Sequence, residues 1–131
     1  MVCLDTDFMV ALLRGDPKAA AKARELDTRG TRLATTPVNA FELFLGAHRS
    51  ERRRDNVTQV LELLSSLETL EFDLWASEKA GSIAADLWSR GETIDARDSM
   101  IAGVAMRHGE AILTRNTRHF SRIPQLRHEE W

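Results

Sequence analysis

Hydrophobic residues along this chain follow two rhythms. Short apolar runs stand at Val2-Cys3-Leu4, Arg32-Leu33-Ala34-Thr35, Thr69-Leu70-Glu71-Phe72 and Ala111-Ile112-Leu113-Thr114, and each predicts a strand. Between them the apolar positions return roughly every three to four residues, the period of a helix lying on a core. Phe8 to Arg14 predicts a short helix stopped by Gly15-Asp16-Pro17, and Lys18 to Arg29 an Ala- and charge-rich helix closing at Gly30. Thr36-Pro37 supplies an N-cap and a first-turn proline for a helix over Val38 to His48. Asn56 to Leu67 sets Val57, Val60, Leu61 and Leu64 on one face. Trp75 to Arg90 does the same with Ala76, Ala80, Ile83 and Leu87, while Arg97 to His108 is almost wholly apolar and ends before Gly109.

Strands alternating with helices predict an α/β fold, a parallel sheet of about four to five strands with helices on both faces. The stretch from Arg49 to Asp55 reads as a charged, solvated connection. With no linker or repeat elsewhere, residues 1–131 are expected to form a single domain. Ligands of such sheets bind beyond the carboxyl ends of the strands, so polar residues at those ends come first.

Composition narrows the class. Apolar residues make up 43% and charged residues 29%, a globular rather than a disordered balance. No apolar run approaches the roughly 20 residues of a membrane span, and the opening MVCLDTDFM has no basic leader, so neither a membrane segment nor a signal peptide is expected. The single cysteine, Cys3, reads as a small core residue and fits a reducing cytoplasm. A net charge of -2 leaves no global footprint of a nucleic-acid binder. Of the 18 cations, 15 are arginine, a side chain suited to bidentate phosphate contacts.

Candidate chemistry gathers at the strand ends. Asp5 directly follows the first strand, and Asp7 is placed to cap a helix starting at Phe8. Glu42 sits in the apolar context Val38-Asn39-Ala40-Phe41-Glu42-Leu43-Phe44-Leu45, where an ionised group needs a cation or hydrogen bonds, or else a narrow exposed stripe. Asp98 opens the apolar helix, with Asp95 three residues earlier as an N-cap or as a second acid pointing the same way. Asn116 follows the fourth strand, where an asparagine is ordinarily a turn residue. If the sheet gathers these ends, several carboxylates converge and repel unless a cation sits between them. Oxygen ligands suit Mg²⁺ or Mn²⁺, ions that activate water for phosphodiester cleavage. His48, His108, His119 and His128 show no zinc spacing, and neither a phosphate-cradling glycine loop nor a GxSxG elbow is present.

The segment LDTDFMVALLRGD, the segment Pro37-Val38-Asn39-Ala40-Phe41-Glu42-Leu43 with Gly46, Asp98-Ser99-Met100-Ile101-Ala102, and the closing ILTRNTRHFSRIPQL with Trp131 resemble, in order and spacing, the motifs of PIN-domain toxins of the VapC family. The resemblance covers essentially the whole chain. It implies a PIN-like fold and a Mg²⁺- or Mn²⁺-dependent endoribonuclease, the toxin of a type II toxin–antitoxin pair. It also implies a VapB-like antitoxin partner and a homodimer, with larger toxin–antitoxin assemblies. The family's acids match Asp5, Glu42 and Asp98, expected to be catalytic and to hold metal. At the fourth position many relatives carry aspartate where this chain has Asn116, which adds no charge and lets one ion dominate.

Further expectations attach to that reading. Arg115, Arg118, His119 and Arg122 cluster after the fourth strand as candidate RNA contacts. Trp75 and Trp88 read as helix packing, and together with the helix from Met100 to Met106 they offer more apolar surface than so small a domain readily buries alone. Phe8, Phe44 and Val57 are candidates for an apolar groove taking an antitoxin helix, whereas Leu12, Leu61 and Leu64 read as core. Two rivals stand beside the nuclease. One is a phosphatase using Asp5-Thr6-Asp7 as a DxD motif, although Met9 departs from the residue that motif wants. The other is a catalytically weak PIN-domain binding module, raised by Asn116.

Overall fold

The computed structural model describes residues 1–131. In chain order it runs β1 (Val2–Leu4), α1 (Thr6–Leu13), α2 (Pro17–Thr28), β2 (Leu33–Thr35), α3 (Pro37–His48) and α4 (Arg53–Ser65). It continues with β3 (Glu68–Thr69), α5 (Leu74–Ser89), α6 (Ala96–Arg107), β4 (Ala111–Leu113), α7 (Thr117–Phe120) and β5 (His128–Glu129). The five strands form one sheet in the order β3-β2-β1-β4-β5, every neighbouring pair parallel.

Strand periodicity explains the layers. Successive residues of a strand face opposite sides. Val2 and Leu4 of β1 and Leu113 of β4 turn to one core with Phe8, Leu26, Leu43 and Val60, beneath α1 to α4. Cys3 and its register partner Ile112 turn to the other side, beneath α5 and α6. Because β1 is buried on both faces, all three of its residues are apolar. Burial pushes the Cys3 thiol up to about 12, so it is an inert core residue. The two helices of the second layer meet closely: a Cβ added at Gly103 of α6 would lie 2.7 Å from the Ala76 carbonyl oxygen of α5. Ala76, Ala80, Ile83 and Leu87 of α5 are all buried, as their spacing predicts.

Several expectations are corrected. α1 starts two residues before Phe8, and its N-cap is Asp5, whose side chain accepts from the Thr6 amide; Asp7 therefore lies inside the first turn. β3 is shorter and starts one residue earlier than expected, at the exposed Glu68–Thr69, although the Leu70 amide still donates to the Thr35 carbonyl at 2.8 Å while its side chain enters the core. α4 begins at Arg53, so part of the charged connection is helical. Leu61 is 55% exposed, and Trp75 and Trp88 of α5 are 67% and 76% exposed, so none of the three is core packing. Ile101 to Ala105 of α6 are fully buried, which withdraws most of that helix from any surface. No helix is long and apolar enough to cross a membrane.

Candidate active site

The carboxyl ends of β1, β2 and β4 open on one side of the sheet, and each ends in a polar residue that is nearly or wholly buried: Asp5, Thr35-Thr36 and Thr114. Asp5 is the hub. Its Oδ1 accepts from the Thr6 backbone amide at 2.9 Å and from Asn39 Nδ2 at 3.1 Å. Its Oδ2 accepts from Thr114 Oγ1 at 2.7 Å. Asn39 is fully buried in the first turn of α3. It is aimed by the N-cap Thr36, which donates its hydroxyl to Asn39 Oδ1 at 2.7 Å and accepts the Asn39 amide at 3.1 Å.

From this hub hydrogen bonds run out to the other candidates. Asn39 Nδ2 lies 3.0 Å from Thr6 Oγ1, which donates to Glu42 Oε1 at 2.6 Å. Glu42 Oε2 faces Arg97 Nη1 at 3.7 Å, so the partly buried glutamate has both a hydroxyl and a cation. On the other side Thr114 Oγ1 accepts the Asn116 amide at 2.8 Å. Asn116 Nδ2 is 3.0 Å from His119 Nδ1, which is 3.1 Å from Asp98 Oδ2. Asp5, Glu42, Asp98 and Asn116 thus stand on one connected network drawn from β1, α3, α6 and the β4–α7 turn. Asp95 is turned away, capping α6 through the Arg97 amide and lying 3.5 Å from the Arg97 guanidinium.

Charge accumulates at the hub. The Asp5 carboxyl is pushed up to about 6, first by burial, then against the opposing Thr114 and Thr6 hydrogen bonds by the nearby Asp7 and Asp98 carboxylates. No three His, Cys, Asp or Glu side chains converge closely enough to share an ion in this arrangement. Glu42 is instead drawn to Thr6 and Arg97, and Asp98 to His119. The donor set itself fits a hard divalent cation. It consists of carboxylate oxygens whose mutual repulsion already disfavours ionisation of the most buried member.

Asp7 has a different task from the one expected. Its Oδ2 accepts the Arg115 backbone amide at 2.8 Å and lies 3.3 Å from Thr114 Oγ1, pinning the β4–α7 turn onto α1. An aspartate committed to a backbone amide is poorly placed for the DxD reading. The basic cluster after β4 divides. Arg115 is exposed, its guanidinium carbon 3.5 Å from the centre of the Trp131 ring. Arg118 is exposed at the rim, His119 faces Asp98, and Arg122 Nε turns back to the His119 carbonyl at 3.4 Å.

A groove of about 270 Å³ between α1, α3 and α4 runs up to Glu42, with Val10, Leu13, Gly46 and Val60 in its walls. The three residues expected there are elsewhere. Phe8 is wholly buried, its ring edge-on to Trp131 with centroids 5.2 Å apart. Phe44 and Val57 are half-buried against the same core. Val10 of α1 and Val60 of α4 line the groove instead. Asn39, Thr6 and Thr114, the residues that hold Asp5, were not anticipated. A polar residue closing a strand or opening a helix was the available signal.

A family model described as PIN domain matches residues 2–126. A curated relative, tRNA(fMet)-specific endonuclease VapC of Salmonella typhimurium, is 33% identical over 98% of this chain and 96% of its own length. Ribonuclease VapC2 of Rickettsia felis is 27% identical over the same shares. Among solved structures, DNA-bound VapBC from Salmonella typhimurium superposes with a TM-score of 0.88 at 32% identity, covering 100% of this chain and 99% of the other. VapBC2 from Rickettsia felis, bound to a DNA fragment from its promoter, gives 0.90 at 26% identity with the same coverage.

Proposed function

The chain belongs to the PIN-domain family, and from that membership we propose that it is the toxin of a VapBC-type toxin–antitoxin pair, a metal-dependent endoribonuclease. The observation that carries this reading is the network centred on Asp5, which links Glu42, Asp98 and Asn116 at the carboxyl ends of parallel strands. Asp5, Asp98 and Glu42 would hold the ion, and Mg²⁺ or Mn²⁺ fits their hard oxygens. When bound, that ion supplies positive charge and an activated water for phosphodiester hydrolysis.

The chain's own residues do the rest. Thr114 and Asn39 fix both oxygens of Asp5, so its carboxylate is oriented before substrate arrives. Asn116 closes the cleft with a neutral amide, which favours one ion over two. Arg115 and Arg118, exposed beside it, meet RNA phosphates. His119 and Arg122 orient that rim through Asp98 and the α7 backbone.

The partners follow the same reading. A VapB-like antitoxin seats an amphipathic segment in the groove beside Glu42, where it obstructs the cleft. Exposed Trp75 and Trp88 on α5 supply apolar surface for a homodimer. The enzyme acts on RNA in the cytoplasm. The test is cleavage of RNA by purified chain freed of antitoxin, with Mg²⁺ or Mn²⁺ supplied. Asp5→Asn and Asp98→Asn should each lose more than about 100-fold while keeping the far-UV spectrum, because both remove a ligand without disturbing packing. Full activity in either variant overturns the assignment.

A further inference from the structure

Beside the cleft, on the side of α1 away from Glu42, lies a second recess of about 380 Å³ lined by Asp7, Val10, Ala11, Arg14, Asp16, Arg115 and Trp131. Its charges are unevenly committed. Asp7 Oδ2 accepts the Arg115 amide, and Asp16 Oδ1 accepts the Lys18 and Ala19 amides as the N-cap of α2. Neither the Arg14 nor the Arg115 guanidinium forms an ion pair with an Asp or Glu side chain. The Arg115 guanidinium lies over the Trp131 ring at 3.5 Å, and its only hydrogen bond is a long one of 3.4 Å from Nε to the Trp131 main-chain oxygen. Trp131 is itself held edge-on by the buried Phe8.

Stacking on an indole fixes the plane of a guanidinium without consuming its donors. Arg115 therefore presents free N–H groups at a set orientation, with a second unpaired guanidinium, Arg14, on the same recess. Thr114 Oγ1 bonds Asp5 and lies 3.3 Å from Asp7, so one hydroxyl separates this recess from the hub of the active site.

We propose that Arg14 and Arg115, the latter set by Trp131, form a backbone-phosphate subsite that receives the RNA strand next to the phosphate being cut. The inference rests on the ribonuclease reading and adds where the strand runs: along α1 and Trp131, rather than only across α7. Two forked guanidiniums match a phosphodiester's paired oxygens, and the site reads backbone without sequence.

Affinity for a fluorescein-labelled single-stranded RNA oligonucleotide, with EDTA present to suspend cleavage, is the test, measured over a series of KCl concentrations. Arg14→Gln and Arg115→Gln should each weaken binding about 3- to 10-fold and each flatten the log–log salt slope by about 0.7, the value of one phosphate contact on a single strand. Trp131→Phe, which keeps a stacking ring, should stay near wild type, and Trp131→Ala should behave like Arg115→Gln. Arg54→Gln, an exposed arginine on α4, should leave the slope unchanged. Wild-type slope in both arginine variants, in a protein that still binds and cleaves RNA, overturns the subsite alone, as does an equal effect of Arg54→Gln. Wild-type chain that neither binds nor cleaves RNA overturns the ribonuclease reading with it. A loss of antitoxin affinity in Arg14→Gln with RNA binding intact assigns the recess to the antitoxin and also refutes the proposal.

Discussion

Thr114, the residue after β4, donates its hydroxyl to Asp5 Oδ2 at 2.7 Å, and both side chains are buried at the ends of neighbouring parallel strands. The bond holds the central carboxylate and, through the Asn116 amide, the turn that carries the fourth candidate residue. Thr114→Val keeps the volume and removes the hydroxyl. A buried carboxylate that loses such a donor costs about 1–3 kcal/mol of stability, and a ligand that loses its orienting partner typically loses about 10- to 100-fold in activity. Thr114→Ser should restore both. A valine variant that cleaves RNA at the wild-type rate would remove Thr114 from the positioning role.

The raised Asp5 carboxyl links pH, metal and stability. Its folded value of about 6 lies above the ordinary 3.8, so the folded chain binds the proton more tightly than the unfolded one. Stability is therefore full below the ordinary value and falls as pH rises through about 4 to 6, by on the order of 2–3 kcal/mol. A divalent cation favours the ionised carboxylate and should return that loss. Mg²⁺ or Mn²⁺ is expected to raise the melting temperature clearly at about pH 7.5 and little at about pH 5. Asp5→Asn should abolish both the pH-dependent fall and the metal increment. Differential scanning fluorimetry reads all of these, and a metal increment independent of pH would sever the link.

Gly46 lines the groove beside Glu42, and a side chain built there meets nothing within 4 Å of its Cβ. Gly46→Trp should therefore fold, helped by the better helix propensity, while filling the space a partner helix needs. Antitoxin affinity should drop more than tenfold, about 1.4 kcal/mol or more, with RNA cleavage retained. Unchanged affinity by calorimetry would move the antitoxin off this groove.

Gly103 is required for a different reason. Its missing Cβ would stand 2.7 Å from the Ala76 carbonyl oxygen and 2.8 Å from the Ala80 amide nitrogen, backbone atoms that cannot turn aside. Gly103→Ala gains up to about 1 kcal/mol of helix propensity, yet should lose about 1–3 kcal/mol net by prising α5 from α6. A urea midpoint at or above wild type would show that the two helices are not in such close contact.

Much of this was legible in the sequence, and the gaps have physical causes. β1, β2 and β4 are buried strands and announce themselves as apolar runs. β5 is His128–Glu129, a polar pair recruited by backbone pairing to β4 and by the Lys22–Glu129 ion pair at 2.6 Å, which no hydrophobic pattern records. α7 spans only four residues and lacks room for a period. Within the site, Asp5, Glu42 and Asp98 stood out because charge beside apolar residues needs explaining. Asn39 and Thr114 did not, since each is also an ordinary residue at a helix start or a strand end. Asp7 misled for the opposite reason. It has the chemistry of a cap, but its partner is the Arg115 amide, which only the fold brings within reach.

The sheet order also sets a timetable. β1 is the first strand to leave the ribosome, and its neighbour β4 is among the last, pairing Leu4 with Leu113. A growing polypeptide thus carries Asp5, Glu42 and Asp98 long before it owns the strand that gathers them, because distant pairings form only after the intervening chain is made. Translation of its own message proceeds with the cleft unbuilt, and a product cut short before Ala111 has acids but no nuclease. On the proposed reading, the cutting site comes together only once β4 has been made, and until then its acids sit on chain that nothing yet gathers.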